Sequence, residues 1–125
     1  MAFLVTKEAP DFSATAVLGD GTLQERFTLS SLRGGYVYLL FYPLDFTFVC
    51  PTEILAFEER LEAFQERDCE VVGISVDSPF THQAWRRTPR ESGGIGPIRF
   101  PLVSDLSRRI ARVARTAARR VPPLP

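Results

Sequence analysis

The chain is poor in the residues that staple small folds or bind metals, with two cysteines, one histidine, one methionine and one tryptophan. Cys50 and Cys69 are too few for a disulfide framework, and neither stands at a metal-ligand spacing from His82. In a reducing compartment both are free thiols. No basic leader opens the sequence, and the apolar run of MAFLVTKEAPDF is too short for a signal peptide or a membrane span. The expected setting is therefore soluble and cytoplasmic. Fifteen basic and fifteen acidic residues cancel, which gives no reason to expect nucleic acid or an anionic membrane as a partner. Acidic residues are missing altogether after Asp105, where Arg108, Arg109, Arg112, Arg115, Arg119 and Arg120 crowd together. That stretch reads either as a solvated arginine face or as a contact for an anionic surface. There are no internal repeats, and 125 residues with 45% hydrophobic content are enough for a single core.

What is present alternates in period. Segments Phe12 to Val17 and Thr22 to Thr28 flank Asp20-Gly21, a strong signal for a tight turn, so the chain is expected to open with a β-hairpin. LSSLRGG suits one helical turn and its exit, and YVYLLFY then reads as a strand buried on both faces. From Thr52 to Asp68, Ile54, Phe57, Leu61 and Phe64 fall on one stripe, as in a single amphipathic helix. EVVGISVD is a second strand, Pro79 to Trp85 starts another helix, and TPRESGGIGP is a loop of turn formers. FPLVSD gives a third strand. Leu106, Ile110, Val113, Ala114 and Ala117 mark a last helix that stops before Pro122. Strands alternating with helices predict parallel pairing and an α/β architecture.

One stretch calls for a chemical explanation. In FYPLDFTFVCPTE, Cys50 ends an apolar run and stands at the start of the helix, with Pro51 suited to its first position and Glu53 complementing its dipole. The thiolate is the nucleophilic form of cysteine, and unpaired N–H groups at a helix start favour an anion. Thr47, three residues earlier, can place a hydroxyl beside the sulfur, and Pro43 can shield the site without a competing N–H. The residues alone leave a second reading open, in which Cys50 packs as a small hydrophobe at a strand-to-helix junction.

The ordered set Pro43, Thr47 and Cys50, spaced P-x-x-x-T-x-x-C, resembles the active-site signature of the peroxiredoxins, and the longer string resembles their typical two-cysteine branch. VVGISVDSPFTHQAW and GGIGPIRFPLVSDLSRRIAR agree, so the resemblance runs from about Ala9 to about Arg112. It implies a thioredoxin-like fold and a thiol peroxidase reducing hydrogen peroxide and organic hydroperoxides. Cys50 would cycle through sulfenic acid, Thr47 would hold the peroxide and Pro43 would limit solvent. No metal, haem or flavin is implied. Glu53 and Trp85 match positions that support the pocket, with plain packing an equal account of Trp85. Cys69 matches a non-catalytic position and reads as a structural thiol. His82, in a segment that resembles a subunit-contact loop, has no carboxylate motif beside it and reads as structural.

The departures from the family pattern are C-terminal. The resolving cysteine of the two-cysteine branch and the family's active-site arginine have no counterpart here, and VARTAARRVPPLP does not resemble the family's continuation. The expected division is a partial thioredoxin-like domain over residues 1–113 and a divergent Arg/Ala/Pro-rich tail over 114–125, with an exposed sheet edge and apolar face. Such a chain would turn over as a one-cysteine enzyme, with thioredoxin or a small thiol as reductant, as a homo-oligomer or with a full-length subunit. The alternative is an inactive subunit that binds a full-length peroxiredoxin. A disulfide oxidoreductase is disfavoured, because no C-x-x-C motif occurs.

Overall fold

The structure, a computed structural model, describes residues 7–47 and 50–113, without the side chain of Cys50. The hairpin forms where the turn signal places it. Strands β1 (Ser13–Val17) and β2 (Leu23–Thr28) pair antiparallel, and Asp20 accepts from the backbone N–H and hydroxyl of Thr22 to close the turn. Gly21 supplies the left-handed backbone there, at φ 89°. After a 3-10 turn at Leu29–Leu32 come β3 (Tyr36–Phe41), α1 (Cys50–Glu59), α2 (Leu61–Gln65), β4 (Cys69–Ser75), α3 (Pro79–Arg87) and β5 (Leu102–Ser104). The strands form one sheet in the order β2-β1-β5-β4-β3, with β3, β4 and β5 parallel and β1 antiparallel to both of its neighbours. Both crossovers, β3 to β4 and β4 to β5, step the same way along the sheet, and right-handed connections then put α1, α2 and α3 on one face.

That face holds a core of Leu40, Tyr42, Ile54, Leu61, Val71, Trp85 and Leu102, closed at one end by Ile95, Ile98 and Phe100. The residues next to them on the strands, Val72, Ile74 and Val103, turn to the opposite face and pack with Ala16, Phe27 and Ile110. Alternation on the pleat thus divides the apolar residues between two cores.

Two expectations need correction. YVYLLFY is not buried on both faces: among the described residues β3 is an edge strand, and Tyr36 is 76% exposed, Phe41 48%. Its apolar residues serve two partly covered faces, Tyr38 stacking on Phe57 and Phe64 while Val37 and Leu39 join the other core. The helix expected over Thr52 to Asp68 is two helices, broken at Arg60. The Glu58 carbonyl, which would continue the helical ladder, accepts from Arg99 Nη2 at 3.1 Å, and Arg60 N–H donates to Phe57 in a tighter turn. Arg99 also donates through Nε to Glu58 Oε1 at 2.6 Å, so one side chain ties the helix break to the strand that follows.

The Arg-rich end is described only in part. Residues 109–113 are helical, and Asp105 caps that turn by accepting from the N–H groups of Ile110 (2.9 Å) and Ala111 (3.0 Å). Ile110 is buried and Val113 exposed, whereas Leu106, expected on the same stripe, is 64% exposed ahead of the helix. Ala114, Ala117 and the tail over 114–125 lie outside the described residues.

Candidate active site

The carboxyl ends of parallel strands are where α/β sheets gather ligands, because loops there leave the sheet together with helix N-termini. β3 ends at Phe41, and the chain passes through Tyr42, Pro43, Leu44, Asp45, Phe46 and Thr47 towards Cys50, the first residue of α1. β4 and β5 deliver Asp77 and Asp105 at the same end. The backbone therefore puts Cys50 at a helix N-terminus, as its sequence context predicts. Thr47 is half-buried and donates its hydroxyl to the Leu44 carbonyl at 3.1 Å, which leaves the oxygen lone pairs for another donor. Pro43 is exposed on the loop, and Glu53 is exposed in the first turn of α1.

Trp85 lies beneath this loop and has no exposed surface. Its ring packs at 5.9 Å from that of Tyr42 and 6.0 Å from that of Phe46, and its Nε1–H donates to the Gly93 carbonyl at 3.1 Å. It is both a core residue and the floor of the loop. Phe46 adopts a left-handed backbone, φ 57°, at a cost of about 1–3 kcal/mol for a non-glycine residue. The contacts on either side of it must hold that conformation.

They come mainly from a buried polar network that the sequence does not reveal. Asp45 Oδ2 meets His82 Nδ1 at 2.6 Å, Asp45 Oδ1 accepts from Tyr42 Oη at 2.7 Å, and the Asp45 N–H donates to Asp77 Oδ2 at 2.8 Å. His82 Nε2 faces the Val103 carbonyl at 3.1 Å, and Ser75 Oγ donates to Asp77 Oδ2 at 2.6 Å. A carbonyl can only accept, so Nε2 carries a hydrogen and the Nδ1···Oδ2 contact holds one further shared proton. Burial pushes the Asp45 carboxyl above its ordinary range against the opposing pull of His82, and the Tyr42 hydroxyl is pushed up by burial and by Asp45.

His82 therefore departs from the sequence reading in two ways. It has a carboxylate partner, and its segment is the helix α3 rather than a loop, with both His82 and Trp85 buried. The signal was two polar residues inside otherwise apolar motifs, but 37 residues separate them. Asp45, Asp77 and His82 offer ligand atoms within 4.8 Å of one another. All three are already engaged in the bonds above, so the cluster works as a clamp between the loop, β4, α3 and β5. Cys69, at the start of β4, is partly buried with Sγ directed at the Glu70 carbonyl, far along the strand from the loop.

Residues 5–119 match the model of the AhpC/TSA family. The chain belongs to that family, the peroxiredoxins. It is 58% identical over 107 residues to peroxiredoxin-2 of Pongo abelii, covering 86% of this chain and 59% of that one. It is 56% identical over 108 residues to peroxiredoxin-2 of Mus musculus, covering 86% and 54%. Among solved structures, the reduced 2-Cys peroxiredoxin of Plasmodium vivax superimposes with a TM-score of 0.84 at 50% identity, covering 87% of this chain and 56% of that one. AhpC of Mycobacterium tuberculosis follows the same fold, with a TM-score of 0.76 at 31% identity, covering 87% and 69%. The thioredoxin-like fold expected from the motifs is the fold observed. The chain spans about half the length of the curated relatives it matches.

Proposed function

We propose that this chain is a thiol-dependent peroxidase in which Cys50 is the reacting thiol. The observation that carries the reading is the position of Cys50 as the first residue of α1, directly after a clamped loop bearing Pro43 and Thr47 at the carboxyl ends of the parallel strands. Free N–H groups at a helix start stabilise a thiolate and a developing oxyanion alike. The thiolate attacks one peroxide oxygen, an S–O bond forms and the O–O bond breaks. The leaving oxygen takes a proton to become water or an alcohol, and Cys50 is left as sulfenic acid. A thiol, from thioredoxin or a small molecule, then displaces water to give a mixed disulfide, and a second thiol restores Cys50. Thr47 would hold the peroxide through its free lone pairs, and Pro43 would limit water. Glu53 and Trp85 support the helix start and the loop floor. Hydrogen peroxide and organic hydroperoxides are the proposed substrates, and the cytoplasm the proposed setting.

The test is peroxide consumption with thioredoxin or dithiothreitol as reductant. Cys50→Ser abolishes turnover and Cys69→Ser keeps most of it. Equal losses in the two variants would contradict the assignment.

A second reading has an observation of its own in the exposed edge strand β3, where Tyr36, Tyr38 and Phe41 stand open to a partner. The chain would then serve as a subunit that pairs with itself or with a longer peroxiredoxin. It predicts a stable complex with the longer protein and no turnover by the isolated chain. A monomer that consumes peroxide rules it out.

A further inference from the structure

The face of the sheet opposite α1, α2 and α3 carries a groove of about 960 Å³ among the described residues. Phe12, Ala14, Leu39, Phe41, Ile110 and Val113 supply its apolar walls, and Asp11 and Asp105 stand on its lining. It is not the candidate active site, since Pro43, Thr47 and Glu53 do not line it. Parallel strands normally have both faces covered, and here the described residues leave this one partly open. We propose that the groove is the docking site of the chain's own residues 114–125.

Three features select that occupant. The helix over 109–113 runs along the rim, with Arg109, Ile110 and Val113 on the lining, so the chain leaves the described structure at the groove itself. The following segment, ARTAARRVPPLP, reaches up to about 40 Å when extended, enough to cross the sheet. Its chemistry also matches the groove. Pro122, Pro123 and Pro125 have no N–H to pair and favour an extended polyproline conformation with little entropy left to lose, the form that aromatic-lined grooves bind. Phe12 and Phe41 supply the aromatic surface, Val121 and Leu124 the apolar side chains, and Arg115, Arg119 and Arg120 the charge opposite to the exposed Asp11. Covalent attachment gives the tail a millimolar effective concentration at the groove, which a separate chain would have to match.

The experiment compares the full chain, a chain ending at Val113 and the full-length double variant V121D/L124D by fluorescence of the apolar dye anilinonaphthalene sulfonate, over a hundredfold range of protein concentration. The double variant keeps chain length and alters no residue of the described fold. Dye fluorescence is expected to be low in the full chain at every concentration and several-fold higher in both altered chains. A synthetic peptide of residues 114–125 should bring the shortened chain back to the low level, and a scrambled peptide should not. Equal dye binding by the full chain and the double variant would overturn the proposal. So would low dye binding that is lost on dilution of the full chain, since that assigns the groove to a second copy.

Discussion

Asp45 makes the contacts that hold the loop between β3 and Cys50, through its carboxylate to Tyr42 and His82 and through its N–H to Asp77. Asp45→Ala leaves the His82 ring and the Tyr42 hydroxyl buried without their partner, at an expected cost of about 3–5 kcal/mol in urea unfolding. The same carboxyl gives stability a pH dependence of definite sign. Burial raises its folded pKa above the ordinary 3.8, so the folded chain holds a proton that the unfolded chain has released. Its contribution is complete below pH 3.8 and declines as pH rises from there through the raised folded value. Urea titrations of the wild type and Asp45→Asn, compared pairwise from pH 3.5 upward, should show the wild type losing ground to the variant with rising pH; a gain would reverse the sign. The candidate residues Pro43, Thr47 and Cys50 were legible because one short motif carries them. The clamp behind them was not, because Asp45 and His82 meet only when α3 packs against the loop.

At the scale of elements, the sequence pattern located the five described strands and α3, and the span but not the division of α1 and α2, failing where tertiary contacts intervened. The hairpin and its turn followed from Asp20-Gly21, a purely local device. The break at Arg60 did not, because the group that takes the Glu58 carbonyl is Arg99, 41 positions away. Removing it should leave a mark: Arg99→Leu frees that carbonyl and leaves the Glu58 carboxylate held only by the backbone N–H of residue 99, and the helices α1 and α2 are expected to exchange amide hydrogens faster than in the wild type, with the strands little changed. Glycine signals in the α3 to β5 connection are equally specific. A Cβ on Gly94 would run into the backbone of Thr88, which cannot give way as a flexible side chain would. Gly94→Ala is expected to cost about 3 kcal/mol, the upper end of overpacking, by thermal or urea unfolding.

For the whole molecule, an apolar run alone cannot say whether a strand is central or at the edge. YVYLLFY looks doubly buried because its two sets of side chains serve two different cores, while among the described residues the strand itself pairs with β4 alone. An edge bearing Tyr36, Tyr38 and Phe41 is an invitation to association. Tyr36→Lys, which places a charge on that edge, should lower light scattering of concentrated solutions without changing the unfolding midpoint by more than about 0.5 kcal/mol. Fold and family were legible over most of the chain, since the motifs lie on the elements that build the βαβ core. The central claim is that this fold still makes Cys50 a reactive thiol. Its most direct test exposes the protein to a small excess of hydrogen peroxide with a sulfenic-acid trap and locates the label by peptide mass spectrometry. Fast labelling of Cys50 with Cys69 left untouched is the predicted result; slow labelling, or equal labelling of both thiols, would contradict it.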